Sequence, residues 1–313
     1  MNDNDRRRSV LTTPMAETIV SDQSMVASPG DHITGSVISR DGTTIGYRQL
    51  GAGPGLVVLH GAMESSQSHR QLAEALADDF TVYLPDRRGR GLSGPYRSDH
   101  SIKQDAEDMD ALLTKTGAHF FFGVSSGAII GLEAALALPG IRKAAIFEPP
   151  LLVNGPAPFA WLTRFDEEIA RGKIAAAMIT GMKGAQMGPP MLNLIPRWLL
   201  ERLTTTMMAS EEKKAGSDDV TMRMLAPTLH YDFQLVIEMG GALESFSALR
   251  TDVLLLGGSK SPAYLKAALD ALERVLPLAR RVEFPGLGHE ASGNSDRRGQ
   301  PERVAQELRR FFI

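Results

Sequence analysis

The sequence predicts an α/β fold, a mainly parallel sheet covered by helices on both faces, with a helical insertion late in the chain. Three observations carry this. Short apolar runs bounded by turn residues recur, and stretches of helical spacing alternate with them, as in a parallel sheet with crossover helices. Residues 151–249 break that rhythm, with helical spacing and no convincing strand. Between these regions lies a strand, a tight turn and a helix centred on Gly123-Val124-Ser125-Ser126-Gly127.

In chain order, residues 35–48 alternate and turn at Asp41-Gly42, a short-range hairpin signal. Residues 55–59, Gly-Leu-Val-Val-Leu, have the character of a buried strand and end at His60-Gly61-Ala62-Met63-Glu64-Ser65. Helical spacing follows over residues 68–78 through Leu72, Ala75 and Leu76. Residues 80–84 form a strand closed by Pro85-Asp86-Arg87-Arg88-Gly89-Arg90-Gly91-Leu92-Ser93, and residues 102–113 a helix acidic on one face. Phe120-Phe121-Phe122 leads into the turn at Ser125, and an Ala-rich helix runs through Leu138. Residues 142–147 are a strand ending in Glu148-Pro149-Pro150.

Within the insertion, helices are expected over residues 159–171, 174–182, 196–208 and 229–239, punctuated by proline and glycine. The sheet resumes at residues 253–258. A helix over 263–276, a strand over 281–284, the loop Gly286-Leu287-Gly288-His289-Glu290 and a last helix over 301–312 complete the chain. The resulting organisation is a disordered leader over 1–30, a first part of the core over 31–150, the helical insertion over 151–249, and a second part of the core over 250–313. The insertion holds Met178, Met182, Met187, Met191, Met207, Met208, Met222, Met224 and Met239. Most are expected to fill space between helices. Some are expected to line a pliable apolar pocket, because methionine adapts its shape.

Composition excludes several classes. The net charge of −3 offers no basis for binding nucleic acid or an anionic membrane surface. With no cysteine there is no disulfide, thiolate nucleophile or zinc–thiolate site, which suits the cytoplasm. Arg6-Arg7-Arg8 could open a twin-arginine export signal, the alternative reading of the leader. The segment that follows contains Pro14, Glu17, Ser21 and Asp22, too polar for an export signal's apolar core. No run of 18 apolar residues occurs, so no transmembrane helix is expected.

The chemistry points to a serine nucleophile. A Gly-x-Ser-x-Gly turn between a strand and a helix lifts the hydroxyl clear of the sheet, and the helix N-terminus behind it favours developing negative charge. Neither a Walker lysine after Gly127 nor a Gly-x-Gly-x-x-Gly is present, which disfavours a phosphate loop. A base is then needed on a loop after a late strand. Among the seven histidines, His289 alone follows the last strand and is the expected base. His32 sits in the leader, His230 in the insertion, and His69, His100 and His119 at surface or strand-start positions; His60 is expected to shape its loop. The oxyanion donors are expected to be the backbone N–H groups of Ser126 and Ala62.

Taken in order, His60-Gly61-Ala62, the segment from Asp86 to Ser93, Gly123-Val124-Ser125-Ser126-Gly127 and Gly288-His289 resemble the α/β-hydrolase fold family over roughly residues 35–313. The resemblance implies a mostly parallel eight-stranded sheet with helices on both faces and a helical cap insertion. It implies hydrolysis of an ester, lactone, thioester or amide through an acyl-serine intermediate, with no metal or organic cofactor. It assigns loop-stabilising roles to Asp86 and Arg88.

The family's usual acid, an aspartate shortly after residues 253–256, is missing: Ser261 stands there. Some α/β-hydrolases, fungal mycotoxin lactonases among them, carry the acid one strand earlier, directly before the cap, where this chain has Glu148. A carboxylate at the end of a buried strand needs a partner. Glu148 is therefore the expected acid; a pairing with Arg164 is the structural alternative, and Asp232 is the runner-up for the role. The expected activity is that of a serine esterase or lactonase acting on a small hydrophobic ester or lactone. Neither nucleic acid nor membrane is expected as a partner, and a homodimer is compatible with the sequence. A slow-turnover ligand receptor of the same fold, and a cofactor-free haloperoxidase or hydroxynitrile-lyase activity, use similar residues.

Overall fold

The computed structural model describes residues 32–153, 155, 159–185 and 194–313. The leader expected over 1–30, together with Met187 and Met191, lies outside the described residues. The chain opens with the hairpin β1 (Ile33–Ile38) and β2 (Thr44–Leu50). It continues through β3 (Gly55–Leu59), β4 (Thr81–Pro85), β5 (Phe120–Val124), β6 (Lys143–Phe147), β7 (Asp252–Gly258) and β8 (Ala279–Phe284). These form one 8-stranded sheet in the order β1-β2-β4-β3-β5-β6-β7-β8. β2 pairs antiparallel with β1 and β4, and every other pairing is parallel.

Helices α1 (Arg70–Leu76), α2 (Ile102–Thr116) and α3 (Ser126–Ala137) follow β3, β4 and β5. Between β6 and β7 come α4 (Trp161–Ala170), α5 (Ile174–Gly184), α6 (Arg197–Lys214), α7 (Met222–Leu225) and α8 (Leu229–Glu238). Helix α9 (Ala263–Val275) joins β7 to β8, and α10 (Pro301–Phe312) closes the chain.

Both faces of the sheet are buried, so its inner strands read as near-continuous apolar runs whose side chains alternate between two cores. Val57, Phe121, Ile146 and Leu255 face the core under α2, α3 and α9; Val58, Phe122, Phe147 and Leu256 face the one under α1 and α10. Leu235 and Met239, at the end of the insertion, join the first core, so the insertion is anchored on the domain.

The structure departs from the sequence expectation within the insertion. α6 runs six residues past the expected end at Met208, through Ala-Ser-Glu-Glu-Lys-Lys. Those residues end the apolar periodicity, but glutamate and lysine are good helix formers and carry the helix on. The short α7 was not expected. Among the described residues, no helix is long and apolar enough to cross a membrane.

The sheet order positions the site. β4 lies on one side of β3 and β5 on the other, so the chain switches direction across β3. Ligands of open α/β sheets bind in the crevice at such a switch, outside the carboxyl ends of the strands. His60, Asp86, Ser125, Glu148 and the loop after β8 all lie at that edge.

Candidate active site

Ser125 follows β5 directly, with φ 55° and ψ −122°, a backbone conformation that few L-residues adopt. The surroundings enforce it. A Cβ on Gly123 would lie 2.4 Å from the Gly127 carbonyl oxygen, and one on Gly127 2.5 Å from that of His60. Glycine at both places lets β5, α3 and the end of β3 meet. The Ser125 N–H donates to the Phe147 carbonyl at 2.9 Å, tying the turn to the end of β6.

The next residue after Phe147 is Glu148, fully buried, with φ 46°. Its N–H donates to the Leu256 carbonyl at 3.1 Å, so the strained residue is held between two strands. One carboxylate oxygen accepts the Gly258 N–H at 2.6 Å. The other lies 2.6 Å from Nδ1 of His289, close enough for a strong charge-assisted hydrogen bond. The glycine pair at the end of β7 makes room: a Cβ on Gly257 would stand 3.0 Å from Oε1 of Glu148. Phe147 and His289 have ring centroids 6.3 Å apart, so the imidazole sits beside the strand end that also holds Ser125. Nε2 of His289 makes no hydrogen bond to the described residues, the Ser125 hydroxyl included. Sites of this kind often close that contact only with substrate in place.

The loop after β3 reaches the same point. A Cβ on Gly61 would lie 2.9 Å from Cβ of Ser125. Ala62 and Met63 pack against the insertion's buried cluster of Phe165, Ala177, Leu229 and Phe233, on which Trp161 and Met178 also pack, so apolar side chains of the insertion meet the loop beside the serine. Met182 is half-buried and stands outside that cluster, Met208 and Met239 are buried, and Met207 and Met224 are exposed. His60 shapes the loop, as the sequence suggested. Its Nδ1 contacts the Gly61 carbonyl at 3.0 Å, and its Nε2 accepts the Arg87 N–H at 3.1 Å. Accepting there makes it neutral. Burial, helped by the Arg90 and Arg87 charges, drives its pKa down to about 3.

Asp232, the runner-up acid, does not reach the imidazole. It accepts from Nη1 of Arg87 at 2.6 Å, Nη2 of Arg90 at 2.5 Å and the Ser126 hydroxyl at 2.8 Å. Burial raises its pKa, but the Arg90 and Arg87 charges outweigh that and hold it below the usual carboxylate range. Two guanidiniums have claimed it. Arg164 pairs with Glu168 rather than with Glu148. Ser261 is buried, and among the described residues its hydroxyl has no hydrogen-bond partner. Asp86 and Arg88 hold loops together: Asp86 bonds Arg48, Ser66 and Leu92, and Arg88 bonds Asp41 and Asp108.

Two histidines read as surface or strand-start residues are instead buried. His100 contacts Asp105 at 3.0 Å. His69 contacts Glu64 at 3.2 Å and the Ser292 carbonyl at 3.0 Å. Glu64 lies five residues before His69 in the chain, whereas Ser292 lies 223 residues after it.

Comparisons with known proteins give the family of the fold. Residues 56–307 match the model of the alpha/beta hydrolase family, and the chain belongs to that family. It is 29% identical over 253 residues to a pimeloyl-[acyl-carrier protein] methyl ester esterase of Stenotrophomonas maltophilia (strain R551-3), covering 76% of this chain and 89% of that protein. It is 29% identical over 126 residues to the uncharacterized hydrolase YraK of Bacillus subtilis (strain 168), a match spanning 39% of this chain and only 46% of that protein. The crystal structure of an alpha/beta hydrolase from Sphaerobacter thermophilus DSM 20745 superimposes with a TM-score of 0.73 at 30% identity, over 89% of this chain and all of that one. Esterases thus stand among its relatives, and the chain is of the hydrolase class.

Proposed function

We propose that the protein is a serine hydrolase that cleaves a carboxylic ester or lactone, with an apolar acyl or alcohol part, through an acyl-serine intermediate. The observation that carries this is the buried Glu148 carboxylate 2.6 Å from Nδ1 of His289, at the strand edge where Ser125 stands in its strained turn. In this reading Ser125 Oγ attacks the substrate carbonyl carbon while Nε2 of His289 takes its proton. Glu148 holds the ring in the tautomer with the proton on Nδ1 and balances the imidazolium that forms. The N–H groups of Ala62 and Ser126 stabilise the tetrahedral oxyanion, aided by the N-terminus of α3. His289 then passes its proton to the leaving alcohol. Water, deprotonated by the same imidazole, releases the acid. In a lactone the leaving alcohol stays tethered to the acyl chain. A fluorophosphonate probe followed by a panel of esters and lactones of increasing chain length tests the reading: labelling at a residue other than Ser125, or none, rejects it.

The apolar cluster of the insertion supports an apolar substrate part. Trp161 meets Phe233 edge-on with centroids 4.6 Å apart, on the apolar cluster that Ala62 also packs against. Trp161→Ala is expected to change the ratio of kcat/KM between long-chain and short-chain esters by about tenfold, with a smaller effect on short ones, since pocket contacts discriminate at roughly this scale per methylene. An equal loss on every ester would place Trp161 in the packing of the insertion and not at the pocket.

A further inference from the structure

We propose that Glu64 and His69 form a positioning pair for the oxyanion site: His69, as an imidazolium, compensates the Glu64 carboxylate beside Ser125 and ties the loop of Gly61 and Ala62 to the loop of His289. This rests on the serine-hydrolase reading above.

The geometry is specific. Oε2 of Glu64 accepts the Gly61 N–H at 2.7 Å and faces Nε2 of His69 at 3.2 Å. Nδ1 of His69 reaches the Ser292 carbonyl at 3.0 Å, three residues past His289. Both ring nitrogens therefore face acceptors, and only the imidazolium donates from both. The charges agree. Burial opposes the proton on His69, but Glu64 outweighs it, so His69 titrates above the ordinary imidazole value; the same interaction takes Glu64, against the opposing effect of burial, down to about 2. The other charged or titratable groups acting on the pair are His60 at the end of β3, held neutral, and Arg297 in the turn before α10, which opposes the charge on His69.

Glu64 and the nucleophile both border Gly61. The Cβ that Gly61 lacks would touch both Cβ of Ser125, at 2.9 Å, and Oε2 of Glu64, at 3.3 Å. A bare carboxylate there would oppose the anion that develops on the substrate oxygen. An imidazolium against it cancels that field. Loss of the His69 proton at high pH has two effects: it exposes the carboxylate, and it removes one of the two hydrogen bonds that join the loops. The alkaline limb of the activity profile thus belongs to His69.

The test is the pH profile of kcat and kcat/KM for a stable alkyl ester, followed by acid release, in the full chain and in Glu64→Gln, His69→Gln and the double variant. His69→Gln is expected to lower kcat by about tenfold or more at every pH, with KM little changed and the alkaline limb gone. Glu64→Gln, whose amide oxygen still accepts from Gly61, is expected to keep most of kcat at neutral pH and also to lose the limb. The double variant is expected to exceed His69→Gln by about tenfold, a coupling that mere packing would not produce. An unmoved alkaline limb in Glu64→Gln, or a double variant no better than His69→Gln, overturns the pair. Should His69→Gln not fold, the comparison of wild type with Glu64→Gln decides alone. Fluorophosphonate labelling separates the two levels: without labelling at Ser125 both readings fall, whereas labelling with an unmoved limb sinks only the pair.

Discussion

Ser125→Ala is expected to abolish fluorophosphonate labelling and to lower esterase turnover on the order of a thousandfold or more, leaving only what the oxyanion donors and substrate binding supply. The fold should survive the change. The hydroxyl holds no hydrogen bond among the described residues, and what shapes the turn is the backbone: the Ser125 N–H on Phe147 and the two flanking glycines. Thermal melting of the variant should therefore stay close to wild type. Ser126→Ala is the matching control. It removes a hydroxyl bonded to Arg87 and Asp232, so it should cost stability while labelling at Ser125 persists. Labelling that survives in Ser125→Ala would move the nucleophile elsewhere.

Glu148→Gln is expected to cut kcat by about 10³–10⁴, and the structure gives two reasons. The two carboxylate oxygens each accept one donor, the Gly258 N–H and the imidazole, both at 2.6 Å. A glutamine has a single accepting oxygen. Its amide nitrogen must face a donor, so either the Gly258 N–H goes unpaired or His289 adopts the tautomer that points its proton at Ser125. The neutral amide also leaves the imidazolium unbalanced. Stability should fall too, by about 1–3 kcal/mol for the unpaired buried group. Ser261→Ala, at the family's usual acid position, should leave kcat unchanged and stability equal or slightly better, because the hydroxyl it deletes is buried and has no partner among the described residues. Steady-state kinetics and thermal melts of both variants check this; a large loss in Ser261→Ala with little in Glu148→Gln would reverse the assignment.

Most of the sheet was legible in the sequence because a doubly covered strand must be apolar on both sides, and the punctuation at Asp41-Gly42, His60-Gly61 and Gly123 to Gly127 marks where each ends. Ser125 and Glu148 were legible as strand-end residues, and His289 as the histidine after the last strand. The choice between Glu148 and Asp232 was not. It turns on which carboxylate the arginines after β4 occupy, and Arg87, Arg90 and Asp232 meet across 142 to 145 residues of chain. The burial of His69 was not legible for a similar reason. Its neighbours are polar and suggest a surface, while the carbonyl that buries it comes from Ser292, 223 residues away. Local pattern records which face of a strand is dry. It does not record which distant charge will arrive to satisfy a polar group.

The Asp232 contacts bear on how substrate enters. Asp232 lies on α8, and its partners Arg87, Arg90 and Ser126 belong to the sheet domain, Ser126 being the first residue of α3. Swinging α8 away would forfeit two hydrogen bonds between opposite charges, each worth about 1.5–3 kcal/mol. Leu235 and Met239, further along the same segment, would have to leave the core as well. This helix is the doorpost and not the door. Any opening toward Ser125 is therefore expected on the side of α4 and α5, whose Trp161 and Met178 pack on the same apolar cluster as Phe233 of α8. Amide hydrogen exchange should record the difference, with α8 protected nearly as well as α3 and with α4 and α5 exchanging by local openings well before it.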